Sequence, residues 1–178
     1  MEKRYREETY MRNKYVRIIA AILAICWMIV IFAFSAEEKE ESGAASRGVS
    51  YRIVASADSL LGLNMGDTKI MEVAGRIEGV VRKIAHMIEY GILAALIGVT
   101  LDAWVPDRKM LWIRLIISLV FSAVYGATDE IHQLYVPGRN GSFRDVGIDS
   151  FGALLSLALI TFVWCTVNRI KQKKLYVE

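Results

Sequence analysis

The chain has 178 residues, 54% of them hydrophobic, with 22 Lys plus Arg against 19 Asp plus Glu and a formal charge of +3. One domain is the expectation at this length, and the apolar share exceeds the about 45–50% of soluble chains. Charge falls at residues 1–17, 37–83, 102–109 and 169–174, between long apolar runs. That excludes the basic stripe of a nucleic-acid binder and indicates a membrane protein.

Residues 1–17 form a basic tail with Lys3, Arg4, Arg6, Arg12, Lys14 and Arg17. The first apolar run, 18–34, ends at Ala33-Phe34-Ser35, a small-x-small pattern that a signal peptidase also reads. Its core is longer than the about 7–15 residues of a signal sequence and approaches the about 17–25 that cross a bilayer, so a retained anchor is expected. The segment 35–83 opens with Glu37, Glu38, Glu40 and Glu41. Within it Val49, Ile53, Ala57, Leu60 and Leu61, and then Ile70, Val73, Ile77, Val81 and Ile84, recur at helical spacing. Amphipathic helices are therefore expected there, either lying on the membrane surface or packed as a lid over the bundle.

Span two covers 84–101 and is interrupted by His86, Glu89 and Tyr90. Span three covers 110–128, with Arg114 near its start, expected to snorkel to the headgroups. Pro137 should end that helix at or before Val136, and Asn140-Gly141 signals a turn. Ser142 with Asp145 three residues later reads as a capping box. Span four covers 146–167, interrupted by Asp149, and a second basic tail fills 168–178. Cys26 and Cys165 sit inside apolar runs without a CxxC and read as buried, inert thiols.

With four crossings, the two basic tails and the turn carrying Arg108 and Lys109 fall on one side. The positive-inside rule makes that side cytoplasmic. Spans two and four then enter from outside and span three exits there. His86 and Glu89, the group Asp129, Glu130, His132 and Gln133, and the pair Asp145 and Asp149 all reach the outer leaflet. Ionised side chains at a membrane centre cost about 2.5–3.5 kcal/mol each on insertion scales, so such residues face protein or water and usually carry a function. Small residues at Gly91, Ala95 and Gly98, and at Ser118, Ser122 and Gly126, form tracks that let membrane helices approach closely, while Asp145, Asp149, Gly152 and Ser156 make one stripe on span four, polar at its outer end and small below. The expectation is an all-α integral membrane protein, a bundle of four transmembrane helices with one polar site.

The blocks Arg82-Lys83-Ile84-Ala85-His86-Met87-Ile88-Glu89-Tyr90-Gly91-Ile92-Leu93 and Thr128-Asp129-Glu130-Ile131-His132-Gln133, followed by Pro137-Gly138-Arg139 and by Asp145 to Asp149 with Gly152, resemble the VanZ-like family. Ile31-Phe32-Ala33-Phe34-Ser35 is similar to its aromatic-Ser signature, and the likeness spans most of residues 25–167. The resemblance implies a four-helix protein of the bacterial cytoplasmic membrane. It also implies the namesake's phenotype, lowered susceptibility to the lipoglycopeptide teicoplanin, but supplies no catalytic residues. Family-typical positions here are Lys83, His86, Glu89, Tyr90, Asp129, Glu130, His132, Gln133, Arg139, Asp145 and Asp149. The acidic run after Ser35 is a departure, because members often have Gln or Pro there.

Several functions fit these residues. The first is a site that binds or remodels an amphiphilic envelope molecule, with a membrane lipid, a lipid-linked wall precursor or a lipoglycopeptide as partner. There Arg139 and Lys83 would take phosphates or carboxylates. The second is a hydrolase or transferase on the same substrates, with His86, Glu89, Asp129, Glu130 and His132 as candidate catalytic groups. That set is compatible with zinc or manganese, although no HExxH is present. A proton relay and a purely structural polar network complete the alternatives.

Overall fold

The apolar runs fold into helices longer than a bilayer requires. A computed structural model describes residues 2–37, 39–105 and 108–175, with side chains described over 14–37, 43–105 and 109–170. The helices are α1 (Glu2–Ala36), α2 (Lys39–Leu61), α3 (Asp67–Trp104), α4 (Leu111–Gln133) and α5 (Phe143–Leu175), with a 3-10 turn at Arg108–Met110. Four segments are long and apolar enough to cross a membrane: Lys14–Ala36, Asp67–Trp104, Leu111–Gln133 and Phe143–Ile170. The described chain has no strand. Glu38, Glu40, Glu41, the basic side chains before Lys14 and after Ile170, and the side chains of Pro106 to Arg108 lie outside the described residues.

Helix α3 is the hub, in contact with α1, α2, α4 and α5. Small residues make this possible. A β-carbon on Gly91 would meet Ser156 at 3.2 Å, and one on Gly98 would meet Ser118 at 3.6 Å. At Gly152 it would stand 2.3 Å from the Met87 carbonyl oxygen, so only glycine lets α5 come this close to α3. Ile31, Tyr90, Leu93 and Ile97 join α1 to α3, while Ala94, Ala153 and Leu157 join α3 to α5. Large apolar side chains such as Ile29, Phe121, Leu159 and Phe162 point outward. Lipid is as apolar as leucine, so in a bilayer this exposure is not penalised.

At about 1.5 Å per residue, the 38 residues of α3 extend well past a hydrocarbon core of about 30 Å. Its first half pairs with α2 in an antiparallel hairpin, where Val54 packs on Ile70 and Ala74. The Asp58 carboxylate accepts the Met65 N–H at 2.9 Å and closes the turn. The face of α2 that meets α3 is Ser50 and Val54, both buried. The stripe Val49, Ile53, Leu60 and Leu61 is left uncovered, with Leu60 85% exposed.

The far end of α3 is held by two arginines. Arg17 Nε donates to the Ala103 carbonyl at 2.8 Å and lies over the Trp104 ring. Arg114 hydrogen-bonds the Val105 carbonyl and pairs with Asp102 at 2.9 Å. These donors satisfy carbonyls that a helix end leaves open. Arg114 is thus a buried cap, 7% exposed, rather than a snorkelling side chain. The cysteines also differ from expectation: Cys26 is exposed on the outward face and Cys165 is half-buried.

Candidate functional site

The polar residues of three helices meet at the end of the bundle where the α2–α3 hairpin stands. Helix α4 stops at Gln133, before Pro137, and Gly138 takes the left-handed φ of 75° that the turn needs. Gly141 then passes over the last turn of α4, where a β-carbon would lie 2.2 Å from the Glu130 carbonyl oxygen.

The start of α5 is capped differently from a capping box. Ser142 Oγ accepts the Arg144 N–H at 3.2 Å, as an N-cap should. The Ser142 N–H, which the box assigns to the acid three residues on, instead donates to Glu130 Oε2 at 2.7 Å. Asp145 is thereby released toward Lys83, with Nζ and Oδ1 4.0 Å apart.

Behind this surface lies a buried layer. Gln133 donates to Asp129 at 3.0 Å, one helical turn away. Tyr90 is fully buried against Gly126, next to the Asp149 β-carbon. Asp149 is 2% exposed. Three atoms there have no hydrogen-bond partner among the described residues: Tyr90 Oη, Asp149 Oδ1 and His86 Nδ1. His86 Nδ1 stands 3.3 Å from Glu89 Oε2, near enough to attract electrostatically but off the hydrogen-bonding direction.

Arg139 ties the loop to α1. Its Nε donates to the Glu37 carbonyl at 2.8 Å and its Nη2 to the Phe34 carbonyl at 2.9 Å, so a loop guanidinium caps the end of α1. Burial lowers its proton affinity below the usual arginine range, and the positive charge of Arg82 lowers it further. The group nonetheless stays charged in water at any ordinary pH.

A cleft of about 260 Å³ opens among these elements, lined by Lys83, His86, Glu130, Gln133, Arg139, Asp145 and Asp149. A second, of about 290 Å³, runs between α1, α2 and α3 and contains Glu89. Of the remaining expected residues, Tyr90 and Asp129 are buried and line neither cleft. His132 is elsewhere, turned to α1 with its ring centroid 4.6 Å from that of Phe32. Sequence reasoning passed over Arg82, which lines both clefts, and Asn140. The signal for Arg82 was available: with Gly79 and His86 it shares one helical face at spacings of three and four.

The cleft combines three fixed cations with imidazole and carboxylates, a set able to bind an acidic headgroup and to move protons. Among the described residues, no group of three histidine, cysteine, aspartate or glutamate side chains stands ready to hold a metal ion. A family model described as VanZ/LLP1 matches residues 20–164. No curated protein and no solved structure matches the chain.

Proposed function

The chain belongs to the VanZ/LLP1 family, and we propose that it binds or remodels an amphiphilic envelope molecule in the cleft between α3, α4 and α5. The basic tails argue for placing the hairpin end outside the cytoplasmic membrane, which sets the cleft at the outer leaflet of a bacterial cell. In this reading Lys83, Arg82 and Arg139 take the acidic part of the ligand. Asp145, Asp149 and His86 orient its sugar or amine groups, and the lipid part stays in the bilayer. A lipoglycopeptide such as teicoplanin or a lipid-linked wall precursor has this form. The observation that carries the proposal is the cleft itself, where three cations, an imidazole and three carboxylates converge on a bundle of four apolar spans.

The test is expression in a susceptible bacterium, with susceptibility to teicoplanin measured beside a glycopeptide that lacks a lipid tail. The wild-type chain should reduce susceptibility to the tailed drug alone. Asp149→Asn should abolish that effect at unchanged membrane abundance, and an equal effect on both drugs would reject the reading.

A second reading, a hydrolase or transferase on the same substrates, is favoured by one observation. His86, an imidazole on the cleft, stands beside the Glu89 carboxylate, a pairing that suits acid–base chemistry. Turnover of a lipid-linked precursor by purified protein, lost in His86→Gln, would distinguish catalysis from binding.

A further inference from the structure

Two clefts share three residues, and two of these are arginines. Arg82, His86 and Arg139 line both the polar cleft and the groove between α1, α2 and α3. The groove differs in character, because Phe34, Val49, Val81 and Ala85 supply its walls. The two clefts therefore adjoin at Arg82, His86 and Arg139, with the charged one on one side and the more apolar groove beside α1 on the other.

The guanidiniums retain capacity for a ligand. Arg139 spends two donors on neutral carbonyls, which leaves its charge without a carboxylate counterpart in those bonds. Arg82 reaches Glu78 at 3.4 Å through Nη2, while its Nε is buried without a hydrogen-bond partner. Burial lowers the proton affinity of Arg139 first, and the like charge of Arg82 lowers it further. Like charges converging in a half-buried place are unfavourable unless an anion bridges them. Of the carboxylates on the two clefts, Glu130 holds the Ser142 N–H and Asp145 faces Lys83, while Glu37, Glu89 and Asp149 also line them.

We propose that Arg82 and Arg139 form a seat for the phosphate of a membrane lipid, whose chain leaves through the groove between α1, α2 and α3 and whose polar headgroup occupies the charged cleft. The proposal rests on the cleft being a ligand site and adds the substrate class, a phosphate joined to a lipid chain. Planar guanidiniums suit this task because they fork onto phosphate oxygens.

The experiment uses the purified full chain in nanodiscs of zwitterionic lipid, with binding followed by native mass spectrometry. The probes are a polyprenyl diphosphate, the matching uncharged polyprenol, phosphatidylglycerol and inorganic pyrophosphate. The diphosphate lipid should bind at least about tenfold more tightly than the polyprenol. Arg82→Gln and Arg139→Gln should each remove that preference, and Arg82→Lys should restore part of it, because the ammonium keeps the charge but loses the fork. Ala85→Trp, which fills the groove, should weaken the lipid probes and leave pyrophosphate unchanged.

Equal uptake of phosphatidylglycerol and the diphosphate lipid supports a seat for lipid phosphates in general, and a diphosphate preference supports one for lipid-linked precursors. Equal binding of polyprenol and diphosphate, or glutamine variants that keep the preference at wild-type melting temperature, overturns the seat. Pyrophosphate binding as tight as the lipid overturns the chain path. If Asp149→Asn abolishes amphiphile binding while the arginine variants keep the preference, the seat alone falls. If no amphiphile binds the wild-type chain, the ligand site itself falls.

Discussion

Replacing Gly152 by alanine tests the packing on which the site depends. A β-carbon there would stand 2.3 Å from the Met87 carbonyl oxygen, 2.6 Å from its Cα and 2.8 Å from its carbonyl carbon. The first distance is about 1 Å short of the 3.4 Å at which ordinary contact begins. All three atoms are backbone, so no rotamer change relieves the clash and α3 and α5 must part. Overpacking of this kind costs about 1–3 kcal/mol, which for a chain of this size lowers the melting temperature by roughly 2–12 °C. The control is Gly147→Ala in the same helix, where nothing lies within 4 Å of the added carbon. Exchange of glycine for alanine inside a helix gains up to about 1 kcal/mol, so this variant should melt at or above wild type. Thermal unfolding in detergent, read by circular dichroism, decides the matter. Equal melting temperatures for the two variants would refute the reasoning.

Glu130→Ala should destabilise by about 1–2 kcal/mol, because the Ser142 N–H loses its acceptor, and Glu130→Gln should lose less because it keeps a carbonyl; thermal denaturation showing no order between them counts against the cap. At the other end, Asp102→Asn should cost no more than about 1 kcal/mol, since that carboxylate is largely exposed. Arg114→Ala, which also removes the partner of the Val105 carbonyl, should cost about 1–3 kcal/mol, and the same assay giving the reverse ranking would contradict the buried-cap account. For orientation, Cys26 and Cys165 are first replaced by alanine. A membrane-impermeant maleimide should then label Leu60→Cys in intact cells and Lys109→Cys only after permeabilisation, whereas the opposite pattern would put the cleft on the cytoplasmic side.

The four spans and the meeting of their polar ends were legible because each rests on a local rule. Apolar length sets the crossings, and glycine and serine tracks set which helices touch. Gly91 facing Ser156 and Gly98 facing Ser118 are those tracks engaged. The face of α2 was not legible. Its most hydrophobic stripe, Val49, Ile53 and Leu60, is the one left outside, while Ser50 and Val54 pack on α3. A helix beside a membrane has two apolar partners, lipid and protein, and hydrophobic periodicity cannot tell them apart. The roles of Arg114 and Arg139 were hidden for a different reason: Arg114 caps a carbonyl at the end of the preceding helix and Arg139 carbonyls at the distant end of α1, and hydrophobic spacing carries no trace of such contacts. His132 shares the depth of the cluster, yet its azimuth on α4 turns it to Phe32.

The polar groups at the hairpin end divide by what they already hold. Glu130 caps α5, Gln133 and Asp129 bond to each other, and Arg139 fastens the loop to α1. Those bonds span α1, α4 and α5 and fix the end of the bundle, as a structural network would. The remainder is unlike a satisfied network. Tyr90, His86, His132, Asp149 and Arg82 each keep a buried polar atom without a hydrogen-bond partner among the described residues. An unmet polar atom in such a place costs about 1–3 kcal/mol. A fold stabilised only for its own sake would gain from apolar residues at these positions, since replacing both partners of a buried polar pair is often neutral or better. The capped and bonded residues therefore act as the frame, Arg139 among them while also lining the cleft, and the under-used His86, Asp149 and Arg82 lie on that cleft. Such a division would let one cluster serve both as a structural tie and as the proposed ligand site, with different substitutions exposing each role.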